Sequence, residues 1–280
     1  MKFNWIIQRP VFDSRLEEAK GILESLGDSV KVCPSDTFDF DPASLLFDNT
    51  NPTIVMGSIF MCNALQHQFS DENLETSYPR LEIYYSNKRY NYDQISPFIS
   101  GYCLNEDYNL LPLHEFENRF SVDFDKKKIF IRPNSGSKSF SGTVLTPETF
   151  ISELNMLRGW GLGSELIVYS SYKKIDSEFR FWIIGNEIST YSEYKLGAGY
   201  DFKPSKPPKK ILRLAEEFAC GRNDEMLWAP DVSFTIDLCM CKGKAKVVEV
   251  NALSTSGVYW CDLKKLFTDI KDSHQWEYGY

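Results

Sequence analysis

A chain of 280 residues, 42% hydrophobic and 15% aromatic, has enough apolar side chains to bury a sizeable core and reads as one soluble globular protein of two or three lobes. Acidic residues number 39 against 31 basic ones, a net charge of −8, which argues against a nucleic-acid partner because phosphate neutralisation demands a basic face. No apolar run approaches the ~18 residues that span a membrane, the N-terminal stretch has no long apolar core, and seven scattered cysteines suit reduced thiols, so the expected setting is the cytoplasm, with no membrane contact.

In chain order, Phe3 to Gln8 reads as a strand. Ser14 to Leu26 reads as an amphipathic helix, with Ser14 as its cap, Glu17 three residues on and Gly27 at its end. Val30 to Cys33 and Thr53 to Met56 are short apolar runs suited to buried strands, so a small α/β lobe is expected up to about residue 110. Gly57-Ser58 follows a strand directly and suits either a ligand crevice or a plain turn. Residues 71–109, rich in Tyr, Asn and Ser, read as irregular connections with one or two short strands.

From Lys126 a strand runs into a loop dense in Gly, Ser and basic residues, which offers backbone N–H groups together with Arg132 and Lys138 to an anion. The spacing is not that of a P-loop, because Ser137 separates Gly136 from Lys138. Glu148 to Leu157 reads as a helix and Glu165 to Tyr169 as a continuous apolar strand. Glu178 to Ile184 and Glu187 to Tyr194 form a hairpin around Gly185-Asn186, whose two-residue turn sets Arg180 opposite Tyr191 and on the same face as Glu178. Lys195 ends that strand. A Pro/Lys loop then leads into a helix, Ile211 to Cys220, and Asp262 to Ile270 closes the chain as another helix.

The stretch from Ser233 to Asn251 is two alternating runs broken by Lys-Gly-Lys, the pattern of a second hairpin. A two-residue loop would send Asp237 and Glu249 to opposite faces. A three-residue loop, Lys242 to Lys244, pairs Ile236 with Val250 and Leu238 with Val248 on an aliphatic face, and sets Asp237 across from Glu249 beside Asn251. The second register is expected, since each fully buried aliphatic side chain contributes roughly 1.5–3 kcal/mol. Two carboxylates about 5 Å apart share either a proton or a cation. The neighbouring amide favours the cation, and hard oxygen ligands without His suggest Mg²⁺. An outer, solvated face is the plainer alternative.

Taken in order, the cation before a Gly/Ser loop, the acid-x-Arg strand, the basic strand end and the Asp…Glu-x-Asn hairpin resemble the ATP-grasp superfamily. The closest pattern is that of glutamate ligases that extend a ribosomal protein tail, matched here by Glu178-Phe179-Arg180 and Glu249-Val250-Asn251. Arg132 stands where many members carry lysine, which resembles a phage and bacterial branch with two arginines and a lysine in the nucleotide site. The resemblance implies an α+β chain, with a pre-ATP-grasp-like α/β domain over residues 1–115 and an ATP-grasp domain over 116–280, whose two lobes enclose ATP. It implies adenine near Val168, Tyr169 and Ser170, the ribose near Glu178, phosphates on Arg132, Lys138, Arg180 and Lys195, and Mg²⁺ on Asp237, Glu249 and Asn251. Arg180 and Lys195 would be the catalytic cations. The implied reaction is ligation of a carboxylate substrate to an amine substrate through an acylphosphate, releasing ADP and phosphate. A kinase on the same site and an inactive scaffold are the alternatives.

Overall fold

The computed structural model describes residues 1–34, 40–47, 51–69, 81–82, 89–120, 128–194, 205–220 and 233–278. The first elements are β1 (Asn4–Ile7), α1 (Arg9–Phe12), α2 (Leu16–Ser25), β2 (Ser29–Val32), β3 (Thr53–Met56), α3 (Ile59–Phe69) and β4 (Leu81–Glu82). Then come α4 (Tyr92–Ile95), β5 (Asn109–Pro112), α5 (Leu113–Phe120), β6 (Ile129–Pro133), β7 (Thr143–Leu145), α6 (Phe150–Gly159) and β8 (Leu166–Ser171). The chain ends with β9 (Ser177–Ile184), β10 (Glu187–Tyr194), α7 (Lys209–Cys220), β11 (Phe234–Cys241), β12 (Lys244–Ala252) and α8 (Leu263–Tyr278). The mixture is α+β, as expected.

Two compact units divide these elements. The first takes Met1–Tyr85, Glu178–Leu238 and Glu249–Tyr280; the second takes Ser86–Ser177 and Cys239–Val248. In the first unit β2, β1, β3 and β4 form a parallel sheet, the arrangement that alternating short apolar strands and helices produce. Its core gathers Trp5, Phe12 and Leu23 with Trp182 of β9 and Phe267 of α8, and the rings of Trp5 and Phe267 meet edge to face at 5.1 Å. Asp28 ties the same core from beneath. Its carboxylate accepts from the Phe3 amide and the Trp5 indole, each at 3.0 Å, and pairs with Lys271 at 2.8 Å.

The helix expected from Ser14 starts two residues later, at Leu16, behind a 3₁₀ turn over Asp13–Arg15 and without a side-chain cap. Arg15 donates instead to the carbonyls of Tyr259 and Cys261, both at 2.8 Å, so the helix entrance is fixed by a tertiary contact. Gly27, at φ 82°, sits just past the helix end in the left-handed region where glycine is favoured.

The second sheet of this unit has the order β10-β9-β11-β12. Both of its hairpins correct the expected register. β9 and β10 close through Gly185-Asn186, but the pairing shifts between Ile188 and Thr190, so Arg180 faces Ser192 and Tyr191 faces Phe181. The extra residue is Ser189, whose buried hydroxyl has no hydrogen-bond partner among the described residues. In the β11–β12 hairpin the turn is two residues, Lys242 and Gly243, with φ of 50° and 74°, not three. Regular pairing from that turn would separate Asp237 from Glu249, yet Asn251 bonds to both. An irregularity in β11 or β12 therefore restores the shared face.

In the second unit, β5, β8, β6 and β7 form an antiparallel sheet in that order. Alternation sends Ile129, Ile131, Ile167 and Tyr169 into a core with Phe116 of α5 and Phe150 and Leu154 of α6. Arg132 and Val168, which are register partners, and Ser170, opposite Phe130, alternate to the other face.

Candidate active site

On β9, Arg180 is buried and its guanidinium makes a two-pronged pair with Asp237 of β11, Nε to Oδ1 and Nη2 to Oδ2, both at 2.7 Å. Glu249 lies 3.8 Å from the same Nη2. Nη1 donates to the Gly257 carbonyl at 3.3 Å, and the guanidinium lies 4.9 Å from the centre of the Tyr259 ring. Asn251 joins the acids, its amide nitrogen donating to Glu249 Oε1 at 2.9 Å and to Asp237 Oδ2 at 3.4 Å. Burial opposes the charge on Arg180, but Asp237, through its charge and hydrogen bonds, overrides this and holds the arginine more firmly protonated than usual.

Glu178, two residues before Arg180, completes the cluster. Burial, then the charges of Asp237 and Glu249, push its carboxyl up to about 8 against the opposing pull of Arg180. Among the described residues, the carboxylates of Asp237 and Glu249 and the carboxyl of Glu178 thus share the field of Arg180. Among the described residues no three His, Cys, Asp or Glu side chains are grouped to cage a metal. Asp237, Glu249 and Asn251 offer two carboxylates and one amide, a hard-oxygen set chemically suited to a cation that completes its shell with water and phosphate. The Asn251 amide turns its nitrogen to both acids, so presenting the oxygen requires it to turn over.

The raised Glu178 carboxyl has a sign that can be tested. The folded state holds a proton that the unfolded chain releases near pH 4.5, so stability is greatest below that pH and falls as pH rises towards about 8. Glu178→Gln removes this dependence. Melting curves should show the variant little changed at pH 5 and more stable than the parent at pH 8, with each kcal/mol worth about 2–4 °C.

In the second unit, Arg132 is buried on β6 with its guanidinium 5.4 Å from the Tyr92 ring centre. The Gly/Ser loop after β6 is anchored at its start: Asn134 accepts from the Tyr92 and Asp93 amides at 2.8 and 3.0 Å, and the Gly136 amide donates to Asn91 at 3.1 Å. Lys138 sits in this loop at φ 51° and is exposed. Val168 and Ser170 share the Arg132 face of β8, and Ser170 donates to Asn105 at 3.0 Å. Tyr169 does not join them. Its ring is in the apolar core and its hydroxyl accepts from Arg119 at 3.1 Å. Backbone pairing engages β8 on both edges, with Asn109 and Ile131 flanking Tyr169. Lys195 lies outside the described residues.

Arg180, Asp237, Glu249, Asn251 and Glu178 are thus brought together in one unit, and Arg132, Val168 and Ser170 share one sheet face in the other. Tyr259, Tyr92 and Asn134 were not anticipated from the sequence. Asn134 lies at the start of the Gly/Ser loop, which was singled out for Arg132 and Lys138 and not for its asparagine, while Tyr259 had only the neighbouring small-residue loop Ser254 to Gly257 as a signal and Tyr92 lay in a stretch read as irregular.

Comparison with curated protein sequences gave no match. Among solved structures, the chain is similar to D-alanine–D-alanine ligase from Bacillus anthracis complexed with ATP, at 15% identity and a TM-score of 0.61, covering 98% of each chain. It is similar to D-cycloserine synthetase DcsG at 12% identity and a TM-score of 0.58, covering 98% of this chain and 100% of that one. It is also similar to the macrocyclase MdnC bound with precursor peptide MdnA from Microcystis aeruginosa MRC, at 13% identity and a TM-score of 0.55, covering 96% and 98%. At such identities these likenesses establish a shared fold. The family described as ATP-grasp domain, R2K clade family 3, matches residues 98–270, more than half of the sequence, and this chain is a member of it.

Proposed function

We propose that this chain is an ATP-dependent ligase that joins a carboxylate to an amine through an acylphosphate. The observation that carries the reading is the buried Arg180–Asp237–Glu249–Asn251 cluster, with Glu178 beside it, in a chain of ATP-grasp fold. Phosphoryl transfer asks chiefly for positioned positive charge and little covalent chemistry from the protein, and the cluster offers no obvious nucleophile. A substrate carboxylate oxygen attacks the γ-phosphorus of ATP and ADP leaves. The amine nitrogen then attacks the acyl carbon, phosphate departs, and the amine's proton passes to solvent.

In this reading Arg132, Lys138, Arg180 and Lys195 contact phosphate oxygens, with Arg180 and Lys195 nearest the transferred group. Adenine lies near Val168 and Ser170 on the face of β8 that carries Arg132, with Tyr169 present only as part of the paired strand, its ring turned into the apolar core. Mg²⁺ would be held by Asp237, Glu249 and Asn251 and would supply neutralisation of phosphate charge. The carboxyl of Glu178 is influenced by Asp237 and Glu249, which favours a role at the metal end over the ribose. The Gly/Ser loop shields the acylphosphate from water. All seven cysteines are free thiols and, Cys220 apart, buried, which suits the cytoplasm; no described helix is long and apolar enough to cross a membrane.

Substrates are sought among amino acids and peptides, because D-alanine and a precursor peptide figure in the names of similar structures. The test is to incubate the protein with ATP, Mg²⁺ and pooled acids and amines. ADP and phosphate should accumulate only when both pools are present. AMP as product sinks the reading, and a phosphorylated acceptor that persists without amine turns it into a kinase.

A further inference from the structure

Both arginines assigned to phosphate lie over a tyrosine, and in each case the tyrosine is itself held. The Arg180 guanidinium carbon is 4.9 Å from the ring centre of Tyr259, and that of Arg132 is 5.4 Å from the ring centre of Tyr92. Tyr259 meets Tyr194 edge to face at 5.0 Å with a hydrogen bond between their side chains, and the Tyr92 hydroxyl lies 2.8 Å from Cys103 Sγ.

The backbone shows that the Tyr259 ring is placed at a cost. Tyr259 has φ 43°, in the left-handed region that a bulky side chain rarely adopts. Bonds on both sides keep it there: Arg15 donates to the Tyr259 and Cys261 carbonyls, the Trp260 amide to Ser192 at 3.2 Å, and the Asp262 amide to Thr190 at 3.1 Å. Tyr92 is fixed by the segment that carries its arginine. Its amide donates to the Asn134 carbonyl, the Asp93 amide donates to Asn134 Oδ1 at 3.0 Å, and the Asn134 side-chain nitrogen donates to Asp93 Oδ1 at 3.0 Å.

We propose that Tyr259 and Tyr92 are positioning residues, each a seat that fixes the plane of one site arginine. A guanidinium carries five N–H donors in its plane and none on its faces. A carboxylate partner takes in-plane donors and cancels charge, as Asp237 does with two of Arg180's. An aromatic face attracts the same cation through its flat side and uses no donor. The ring therefore helps to set the plane of the guanidinium without taking up any of its N–H donors. The inference rests on the reading that Arg132 and Arg180 contact the triphosphate.

Titration calorimetry with ATP plus Mg²⁺, and separately with adenosine, tests the seat. Tyr259→Leu and Tyr92→Leu should each weaken ATP binding about tenfold and leave adenosine binding unchanged, while Tyr259→Phe and Tyr92→Phe stay near the parent. If Tyr259→Leu does not fold, Tyr259→Gly removes the ring while suiting φ 43°, and Tyr92→Leu repeats the test in the other unit. Unchanged ATP affinity in the ring-less variants, an equal loss for adenosine, or no rescue by phenylalanine overturns the seat and leaves ATP binding standing. A parent protein that binds no ATP overturns the phosphate reading, and the seat with it.

Discussion

Arg180→Ala should destabilise the protein by about 3–5 kcal/mol, roughly ten degrees in melting temperature, and abolish ADP release. Arg180 and Asp237 expose only 5% and 3% of their side chains, so removing the arginine takes a two-pronged cationic partner from a buried carboxylate that has Glu249 and Glu178 nearby. The magnitude comes from the buried charge that remains, not from the net worth of the pair, because taking two ions out of water cancels much of their attraction. Low pH lets the remaining acids take up protons, so the deficit should shrink between pH 8 and pH 5. Replacing both partners, Arg180→Met with Asp237→Asn, should recover most of the stability and none of the turnover. Calorimetric melting of the three proteins at both pH values, beside an ADP assay, separates the two roles. A single variant as stable as the parent would place the pair in water after all.

The ordered motifs were readable because each is local: acid-x-Arg on one strand, Glu-x-Asn on another, a cation before a Gly/Ser loop. The hairpin turns were also local, and Gly185-Asn186 closes β9 and β10 as its composition requires. The bulge was not. Ser189 fits either face of a strand, so hydrophobic alternation carries no mark of the extra residue that moves Arg180 from Tyr191 to Ser192. In the last hairpin the demand that Asp237 and Glu249 share a face was sound, since it followed from burying Ile236, Leu238 and Val250. It was met without a third turn residue, because a Lys-Gly pair with both φ positive makes the twist-matched two-residue turn. Contacts such as Arg180 on Tyr259 and Arg132 on Tyr92 join residues far apart in the chain, and a lone tyrosine has no pattern that announces its partner.

Glu249→Gln should leave the fold intact while lowering Mg²⁺-dependent ATP turnover by on the order of 10²-fold. The side chain of Glu249 is 19% exposed and 3.8 Å from Arg180, a looser tie than that of Asp237, and a glutamine oxygen can still accept from Asn251. Stability should therefore move by no more than about 1 kcal/mol. What disappears is one of the two carboxylates proposed for the ion, together with one of the charges that keep Glu178 protonated. The parent protein at ~100 times the dissociation constant of ATP with Mg²⁺ should gain about 2.7 kcal/mol, and the variant should keep only what ATP alone provides. Melting curves with ATP, with Mg²⁺ and with both, run beside ADP release, give the answer without knowledge of the true substrates. If turnover and the joint shift both survive the substitution, Glu249 is not a metal ligand.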